Sequence, residues 1–241
     1  QNRVLELAED QTALLTAAQF DQNFNQQSSY IAKVGKSMGS MYGYIYEGTY
    51  KYDDFDKVGN TYTLKANVPH FAGENNTQPG IPKYRDINGD GIINDNDRTV
   101  IGNGQPTHTG GFTNNFAYAG FDLSIFFQWS YGNDVLNANR LMFENPTSNI
   151  PRAINSASNK VFSSRIIEDG SFLRLKTVTL GYSLPKQITS KLHIDKLRVY
   201  FAAQNLFTIT DYSGYDPEVS IRNNALTPGL DFSAYPRARQ F

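Results

Sequence analysis

The alternation of apolar and polar residues from Phe121 to Tyr131 constrains the fold of this chain more than any other feature. One face is Phe121, Leu123, Ile125, Phe127, Trp129 and Tyr131, and the other is Asp122, Ser124, Phe126, Gln128 and Ser130. A period of two predicts a β-strand whose faces meet different surroundings. Eleven residues are long for a globular strand but match the about 9–11 residues with which a tilted strand crosses a bilayer. The pattern therefore predicts one face against lipid and one toward a lumen.

Neighbouring segments predict an antiparallel meander. Phe112, Phe116 and Tyr118 alternate with smaller residues, and Ala119-Gly120 then forms a tight hairpin into the next strand. Further strands are predicted at 4–7, 30–35, 41–48, 61–68, 172–184 and 197–204, with helical segments at 134–143 and 185–192. Long connections at 132–170 and 208–234 lie at the end opposite to the hairpin. Short turns at one end and long loops at the other are typical of a transmembrane β-barrel.

The composition is compatible with this class and excludes others. No apolar run is long enough for a membrane helix, and barrel strands that alternate their faces are compatible with the mean hydropathy of −0.48. The formal net charge of −1 argues against a nucleic-acid partner. The chain has no cysteine, so disulfides contribute nothing to its stability.

A second feature, the segment from Asp86 to Asp97, has the spacing of a calcium loop, and we call it the cation loop. Oxygen-bearing side chains stand at loop positions one, three, five, nine and twelve, and Gly91 at position six permits the sharp bend that such a loop needs. Position seven would contribute its backbone carbonyl. The candidate metal ligands are Asp86, Asn88, Asp90, Ile92, Asn94 and Asp97.

Two interpretations of the cation loop stay open on sequence alone. The first is a structural calcium ion, held less fully than usual because Asp97 replaces the longer glutamate that closes such loops. The second is a turn rich in Asn, Asp and Gly that is held by its own side-chain-to-backbone hydrogen bonds. Prolines and glycines at 78–82 and 102–106 flank the loop, so it joins strands and not the helices of a calcium sensor.

No pattern predicts catalysis. Asp53, Asp54 and Asp56, or Asp216 with Glu218, have the residue types of a glycosidase pair, but that mechanism depends on a spatial separation that sequence does not give. The three histidines are scattered and lack the spacing of a zinc site. We therefore predict no enzyme, no catalytic residue and no residue that binds an organic cofactor.

Four blocks of sequence stand in a fixed order along the chain. They are 30–44 (YIAKVGKSMGSMYGY), the cation loop with 97–102 (DRTVIG), 170–182 (GSFLRLKTVTLGY), and 204–208 (QNLFT) followed by 212–218 (YSGYDPE). In order and spacing they resemble the SusC/RagA type of TonB-dependent outer-membrane transporter from about Tyr30 onward. Together the blocks are far more specific than any one of them.

The resemblance implies an all-β fold: an antiparallel meander from the carboxyl-terminal part of a transmembrane β-barrel, with long extracellular loops and short periplasmic turns. Residues 1–241 are then one barrel part, and the plug domain and most of the roughly 22-stranded barrel have no counterpart in the chain. Tyr235–Phe241 resembles only the opening of the last strand, which we expect to be truncated. The loop from Phe71 to Gly111, with its cation site, would lie outside the cell.

The resemblance also implies part of an active importer in the cell outer membrane that takes up glycans or peptides with energy supplied by TonB. The implied partners are a SusD-like surface lipoprotein that caps the barrel, TonB acting through the missing plug, an oligosaccharide or peptide substrate, and outer-membrane lipid. The cation loop adds calcium, in a structural role, as the expected cofactor, and an extracellular site of about 10⁻⁴–10⁻³ M would be filled there.

The alternative is a soluble extracellular β-sandwich module that binds polysaccharide and has a calcium-stapled loop. It explains the cation loop and the alternating strands. It does not explain the uninterrupted aromatic-rich face between Phe121 and Tyr131, nor four blocks in the order of one family.

Overall fold

The computed structural model describes residues 3–21, 27–71, 77–143, 161–221 and 224–241, and strands dominate them. The helical parts are α1 (Ala138–Phe143), α2 (Lys186–Thr189) and 3₁₀ turns at Tyr52–Asp54, Asp95–Asp97, Ser164–Ile166 and Ser190–Leu192. Within the described part of the chain, no helix has the length and apolar character to span a membrane. The all-β class expected from the sequence is confirmed.

The strands in the first part of the chain are short, and the long strands all lie in the second part. The first ten are β1 (Ala13–Ala17), β2 (Ser28–Lys33), β3 (Ser40–Gly43), β4 (Tyr46–Thr49), β5 (Phe55–Val58), β6 (Thr61–Leu64), β7 (His70–Phe71), β8 (Pro82–Tyr84), β9 (Ile92–Ile93) and β10 (Thr99–Asn103). The later ones are β11 (His108–Tyr118), β12 (Phe121–Tyr131), β13 (Asp134–Asn137), β14 (Ile167–Asp169), β15 (Phe172–Ser183), β16 (Arg198–Thr210) and β17 (Leu230–Asp231).

The chain divides into two compact units. Unit 1 comprises Gln1–Gln105, Asp134–Glu168 and Val219–Ala234, and unit 2 comprises Pro106–Asn133, Asp169–Glu218 and Tyr235–Phe241. Unit 1 contains an antiparallel sheet in the order β1-β2-β3-β10 and smaller pairs, of which β7–β9 and β13–β17 are parallel. Its main core is formed by buried side chains that include Tyr30, Met41, Leu136 and Leu230.

Unit 2 is built on a four-stranded meander in the order β11-β12-β15-β16, with every neighbouring pair antiparallel. β11 and β12 pair without a register shift from His108 opposite Tyr131 to Tyr118 opposite Phe121. The register shifts once on each side of β15, next to Phe127 and to Leu175. Such bulges bend a sheet and increase its twist.

The predicted strand from Phe121 to Tyr131 and the hairpin before it are both confirmed. The loop of that hairpin is Ala119-Gly120, with φ values of 48° and 86°. Two consecutive positive φ angles define the type I′ turn, whose twist matches that of antiparallel strands. Gly120 adopts this angle freely, whereas Ala119 does so at a steric cost.

Other predicted elements are displaced in the structure. The helix predicted from Asp134 begins only at Ala138, because residues 134–137 form β13 and Leu136 pairs with Leu230. Residues 4–7 form no strand, although Val4 exchanges backbone hydrogen bonds with the turn at 35–36. The first difference arises from pairing with residues distant in sequence, which periodicity does not report.

Candidate functional site

The sheet of unit 2 has one predominantly apolar face. Residues directly opposite each other on neighbouring strands point to the same side of a sheet. The strand pairing therefore places the alternating apolar residues of all four strands on one side of this sheet. On β15 and β16 these are Leu173, Leu175, Val178, Leu180, Tyr182, Val199, Phe201, Ala203, Phe207 and Ile209. Much of the face is exposed: 58% for Phe116, 56% for Phe201 and 61% for Ile209. An exposed apolar surface of this extent marks contact with lipid or with another apolar partner.

Aromatic rings cluster at both ends of this apolar face. At one end the His108 ring stacks on Tyr131 with centroids 5.2 Å apart, and the Trp129 Nε1–H donates a 3.1 Å hydrogen bond to His108 Nδ1. At the other end the rings of Phe121 and Tyr182 are 4.5 Å apart. Transmembrane β-sheets have aromatic side chains at both borders of their apolar band, where the sheet reaches the two membrane interfaces.

A buried arginine lies on the opposite, polar face of the same sheet. Arg174, near the start of β15, is 2% exposed. Its Nε donates to Thr208 Oγ1 at 3.0 Å, its Nη2 to Asp216 Oδ1 at 2.5 Å and its Nη1 to Glu218 Oε2 at 3.2 Å. All three arms of the guanidinium therefore have acceptors, which a buried charge requires.

Glu218 connects this arginine to two further cations. Lys176 Nζ lies 3.7 Å from Glu218 Oε2, and Arg237 Nη2 lies 2.9 Å from Glu218 Oε1. The network ties the segment after β16 and the last residues of the chain to the polar face of the sheet. We call Arg174, Lys176, Asp216, Glu218 and Arg237 the arginine network.

Asp216 is the best-satisfied carboxylate of the network. It accepts the Glu218 N–H at 2.9 Å and the Arg237 N–H at 3.2 Å, in addition to Arg174. Burial by itself raises the pKa of a carboxyl group, but the hydrogen bonds from the Glu218 N–H and from Arg174 outweigh it and lower the Asp216 pKa. Asp216 is thus held in its charged form.

The first half of the cation loop is held by side-chain oxygens on its own backbone. Asp86 Oδ1 and Oδ2 accept the N–H groups of Gly89 at 2.6 Å and Gly91 at 2.8 Å. Asn88 Oδ1 accepts the Asp90 N–H at 3.0 Å, and Asp90 Oδ1 accepts the Ile92 N–H at 2.8 Å. The bonds of Asn88 and Asp90, each to the N–H two residues on, are those of successive Asx turns.

Asp97 closes the loop from its other end. Its side chain is fully buried, and it accepts the N–H groups of Ile87 at 2.8 Å, Asn88 at 3.4 Å and Asn94 at 2.8 Å. The Ile92 carbonyl, which the sequence assigns to a cation, accepts the Asn94 Nδ2–H at 3.2 Å. Among the described residues, no three His, Cys, Asp or Glu side chains are grouped as a metal shell. Calcium binding by this loop stays a prediction.

The cation loop is anchored to the small aromatic core of unit 1. Ile93 is buried with Tyr44 and Tyr84. Arg98 directly follows the loop, and its guanidinium lies over the Tyr42 ring at 4.6 Å and donates to the Ser28 carbonyl. Burial, followed by the nearby charge of Asp95, raises the pKa of Tyr44 to about 12.

Asp216 and Glu218, which have the residue types of a glycosidase pair, form ion pairs in the structure. Both carboxylates are bound by Arg174, which comes from a strand 42 and 44 residues earlier. The charged residues of block 170–182 and of block 212–218 were the available signal, but no sequence spacing joins them.

Comparisons with known proteins agree with this geometry. No family model matches the chain. It is 34% identical to TonB-dependent receptor P3 of Formosa agariphila over 91% of this chain and 23% of the receptor. It is 30% identical to the TonB-dependent receptor SusC of Bacteroides thetaiotaomicron over 77% of this chain and 20% of SusC. The chain is a homologue of the TonB-dependent receptors. It spans between about a fifth and a quarter of the length of these curated relatives.

Two solved structures have the same fold as this chain. The RagAB peptide importer in its closed-closed state aligns with a TM-score of 0.66 and 21% identity, over 98% of this chain and 25% of the importer chain. A second structure, of the RagAB peptide transporter, aligns with a TM-score of 0.67 and 20% identity over the same shares. The expected SusC/RagA resemblance, barrel fold and outer-membrane location are therefore confirmed.

Proposed function

We propose that this chain is the carboxyl-terminal barrel part of an outer-membrane active importer of the SusC/RagA type. The observation that supports this most is the exposed apolar face of unit 2, where Val199 is 62% and Phe201 is 56% exposed. A β-sandwich buries such a face between two sheets. A barrel strand turns it toward lipid and turns its polar face, here the side of Arg174, toward the lumen.

The proposed cargo is a glycan or a peptide, moved with energy supplied through TonB and with a SusD-like lipoprotein as a lid. Support comes from the names of the relatives, which include SusC, and of the fold neighbours, which are described as a peptide importer. The arginine network supports transport over hydrolysis, because Asp216 and Glu218 are both ion-paired with Arg174. We propose no catalytic residue.

The test is uptake by cells that carry the full-length gene containing this chain. We expect deletion of the gene to abolish uptake of at least one fluorescent oligosaccharide or peptide from a panel, and complementation to restore it. Deletion of tonB is expected to have the same effect, since passive diffusion needs no TonB. Uptake of the whole panel that does not depend on the gene would overturn the proposal.

We further propose that the cation loop binds calcium in a structural role, with Asp86, Asn88, Asp90, Ile92, Asn94 and Asp97 as ligands. Carboxylate and carbonyl oxygens are what this hard cation prefers, and its extracellular concentration suits a site of about 10⁻⁴–10⁻³ M. Backbone bonds use only part of the lone pairs of each carboxylate, so the turns of the loop and a bound ion are compatible.

Calorimetric titration of calcium chloride into the chelator-treated full-length protein tests the site. We expect saturable binding that is weakened in Asp90→Asn, which keeps the size of an exposed side chain and an oxygen ligand but removes the charge. The matched control is Asp56→Asn, an exposed aspartate outside the loop. Equal heats for Asp90→Asn and the unsubstituted protein would contradict calcium binding at this loop.

A further inference from the structure

A cleft on the polar face of unit 2 lies beside the arginine network. It has a volume of about 270 Å³ and is lined by groups that include Arg174, Tyr215, Arg237 and Arg239. Tyr215 is 87% exposed and lines the cleft. Arginine and tyrosine side chains at a concave surface are strong hydrogen-bond donors.

The charges around the cleft do not balance. Glu218 is shared by three cations, namely Arg174, Lys176 and Arg237. Asp216 is already occupied by Arg174 and by two backbone N–H groups. Arg239 adds a further cation, so positive groups exceed carboxylates by two in this part of the structure. Such an excess in a concave surface attracts anions.

Arg239 is the guanidinium most available to a ligand. Its side chain is exposed, and within the described part of the chain it makes no hydrogen bond or ion pair. Nearby backbone is fixed, because Gln240 exchanges backbone hydrogen bonds of 2.8 and 3.2 Å with Gln204, and Asn205 Nδ2 donates to the Ala238 carbonyl at 3.0 Å. A fixed backbone beside a free forked donor favours binding, since less ordering is needed.

We propose that this cleft binds a carboxylate of the imported substrate, with Arg239 as the main forked donor and Arg237 as its neighbour. The planar guanidinium matches the two oxygens of a carboxylate, which an ammonium group does not. The inference rests on the proposed import function and names the substrate class as acidic. A uronic-acid glycan and an acidic peptide share this chemistry, and the probes below distinguish them.

The experiment measures binding to the full-length protein in detergent with two matched pairs of probes. The glycan pair is trigalacturonate and its fully methyl-esterified form. The peptide pair is tetraglutamate amide and tetraglutamine amide, both acetylated at the amino end. We expect one acidic probe to bind at least about tenfold more tightly than its neutral partner, the gain of one charge-assisted hydrogen bond.

Variants locate the carboxylate. Arg239→Gln is expected to weaken binding of the preferred acidic probe by about tenfold and to leave the neutral probe unchanged. Arg239→Lys should restore it only in part, because the charge returns without the fork. The matched control is Arg3→Gln, an equal loss of charge at an exposed arginine of unit 1. Heat-modifiable migration on gels verifies that each variant is folded.

Each outcome decides between the two proposals. Weaker acidic binding in Arg239→Gln but not in Arg3→Gln supports the carboxylate site. Equal binding of both members of each pair, or no effect of Arg239→Gln, overturns the site but leaves import intact if cells still take up a neutral oligosaccharide or peptide. Absence of any gene-dependent uptake overturns the import function itself.

Discussion

Asp97 is the residue on which the cation loop depends most, because one fully buried carboxylate accepts three backbone hydrogen bonds. Asp97→Ala leaves those N–H groups without an acceptor, and each such group costs about 1–3 kcal/mol when buried. We expect the local stability of the loop to fall by about 3 kcal/mol. Hydrogen exchange of the amides of 87–94, measured in chelator, gives this free energy directly.

The control for Asp97 is Asp56→Ala, which removes an exposed carboxylate of β5. It should leave exchange in the loop unchanged. Equal protection in Asp97→Ala and in the unsubstituted protein would mean that the loop is held by other contacts.

Arg174 is the residue on which the local stability of the arginine network depends most, because it forms ion pairs with two carboxylates of unit 2. Arg174→Met leaves Asp216, which is 5% exposed, without its ion pair. Removal of one partner from a buried pair costs about 3–5 kcal/mol, whereas replacement of both by apolar residues is often neutral. Exchange of the amides of 212–218 should therefore rise in Arg174→Met and recover in part in the double variant Arg174→Met/Asp216→Asn, which removes the unpaired charge and keeps an acceptor for the Glu218 N–H. No recovery would assign the loss to packing of the arginine stem.

Asp216 also sets a pH dependence. Its pKa is lower in the folded protein than its ordinary value because the Glu218 N–H and Arg174 hydrogen bonds outweigh its burial. A group of this kind contributes stability above its ordinary pKa of about 3.9, and the contribution is lost as the pH falls through the lower folded value. Protease resistance of 212–218 should be constant from neutral pH to about pH 5 and decline below about pH 4. In Asp216→Asn this decline should be absent.

At the scale of elements, the hairpin between β11 and β12 offers the clearest test. Gly120→Ala would place a Cβ 2.9 Å from the Ser183 carbonyl oxygen at a φ of 86°, and the backbone angle alone costs about 1–2 kcal/mol. Ala119→Asn, at a φ of 48°, should stabilise the turn by about 0.5–1 kcal/mol because type I′ turns favour Asn there. Urea midpoints followed by circular dichroism should move in opposite directions. Equal shifts would contradict the type I′ assignment.

The elements also show what sequence could and could not predict. The strand from Phe121 to Tyr131 was predicted with its bounds because alternation over eleven residues is a local signal that a half-buried strand produces and a helix does not. β13 was not, because residues 134–137 form a strand only through pairing of Leu136 with Leu230. Short strands that depend on distant partners have no period of their own.

The candidate sites also differ in whether their residues are close together in sequence. The cation loop is contiguous, so its spacing could be recognised and its Asx turns are local. The arginine network joins residues of β15 to residues more than forty positions later, as Arg174 with Asp216 does at 42. The charged residues of both blocks could be read from the sequence. That they lie close together follows from the register of β15 with β16.

For the whole molecule, the decisive property is which surroundings the two faces of the unit 2 sheet contact. The apolar face carries exposed side chains such as Phe116 and Ile209, and the polar face carries the buried Arg174. Transmembrane barrel strands place lipid and lumen on alternate residues. If β12 is such a strand, its odd-numbered residues from 121 to 131 contact lipid and its even-numbered residues contact water or polar protein.

Site-directed spin labelling along β12 tests this claim most directly. The chain has no cysteine of its own, so single cysteines at each position from 121 to 131 introduce one label at a time into it. In the full-length protein in lipid vesicles, we predict collision rates with oxygen that are high at odd positions and low at even positions, with the opposite order for a water-soluble nickel complex. Nickel access on both faces, or no alternation, would contradict a membrane-spanning strand and with it the importer.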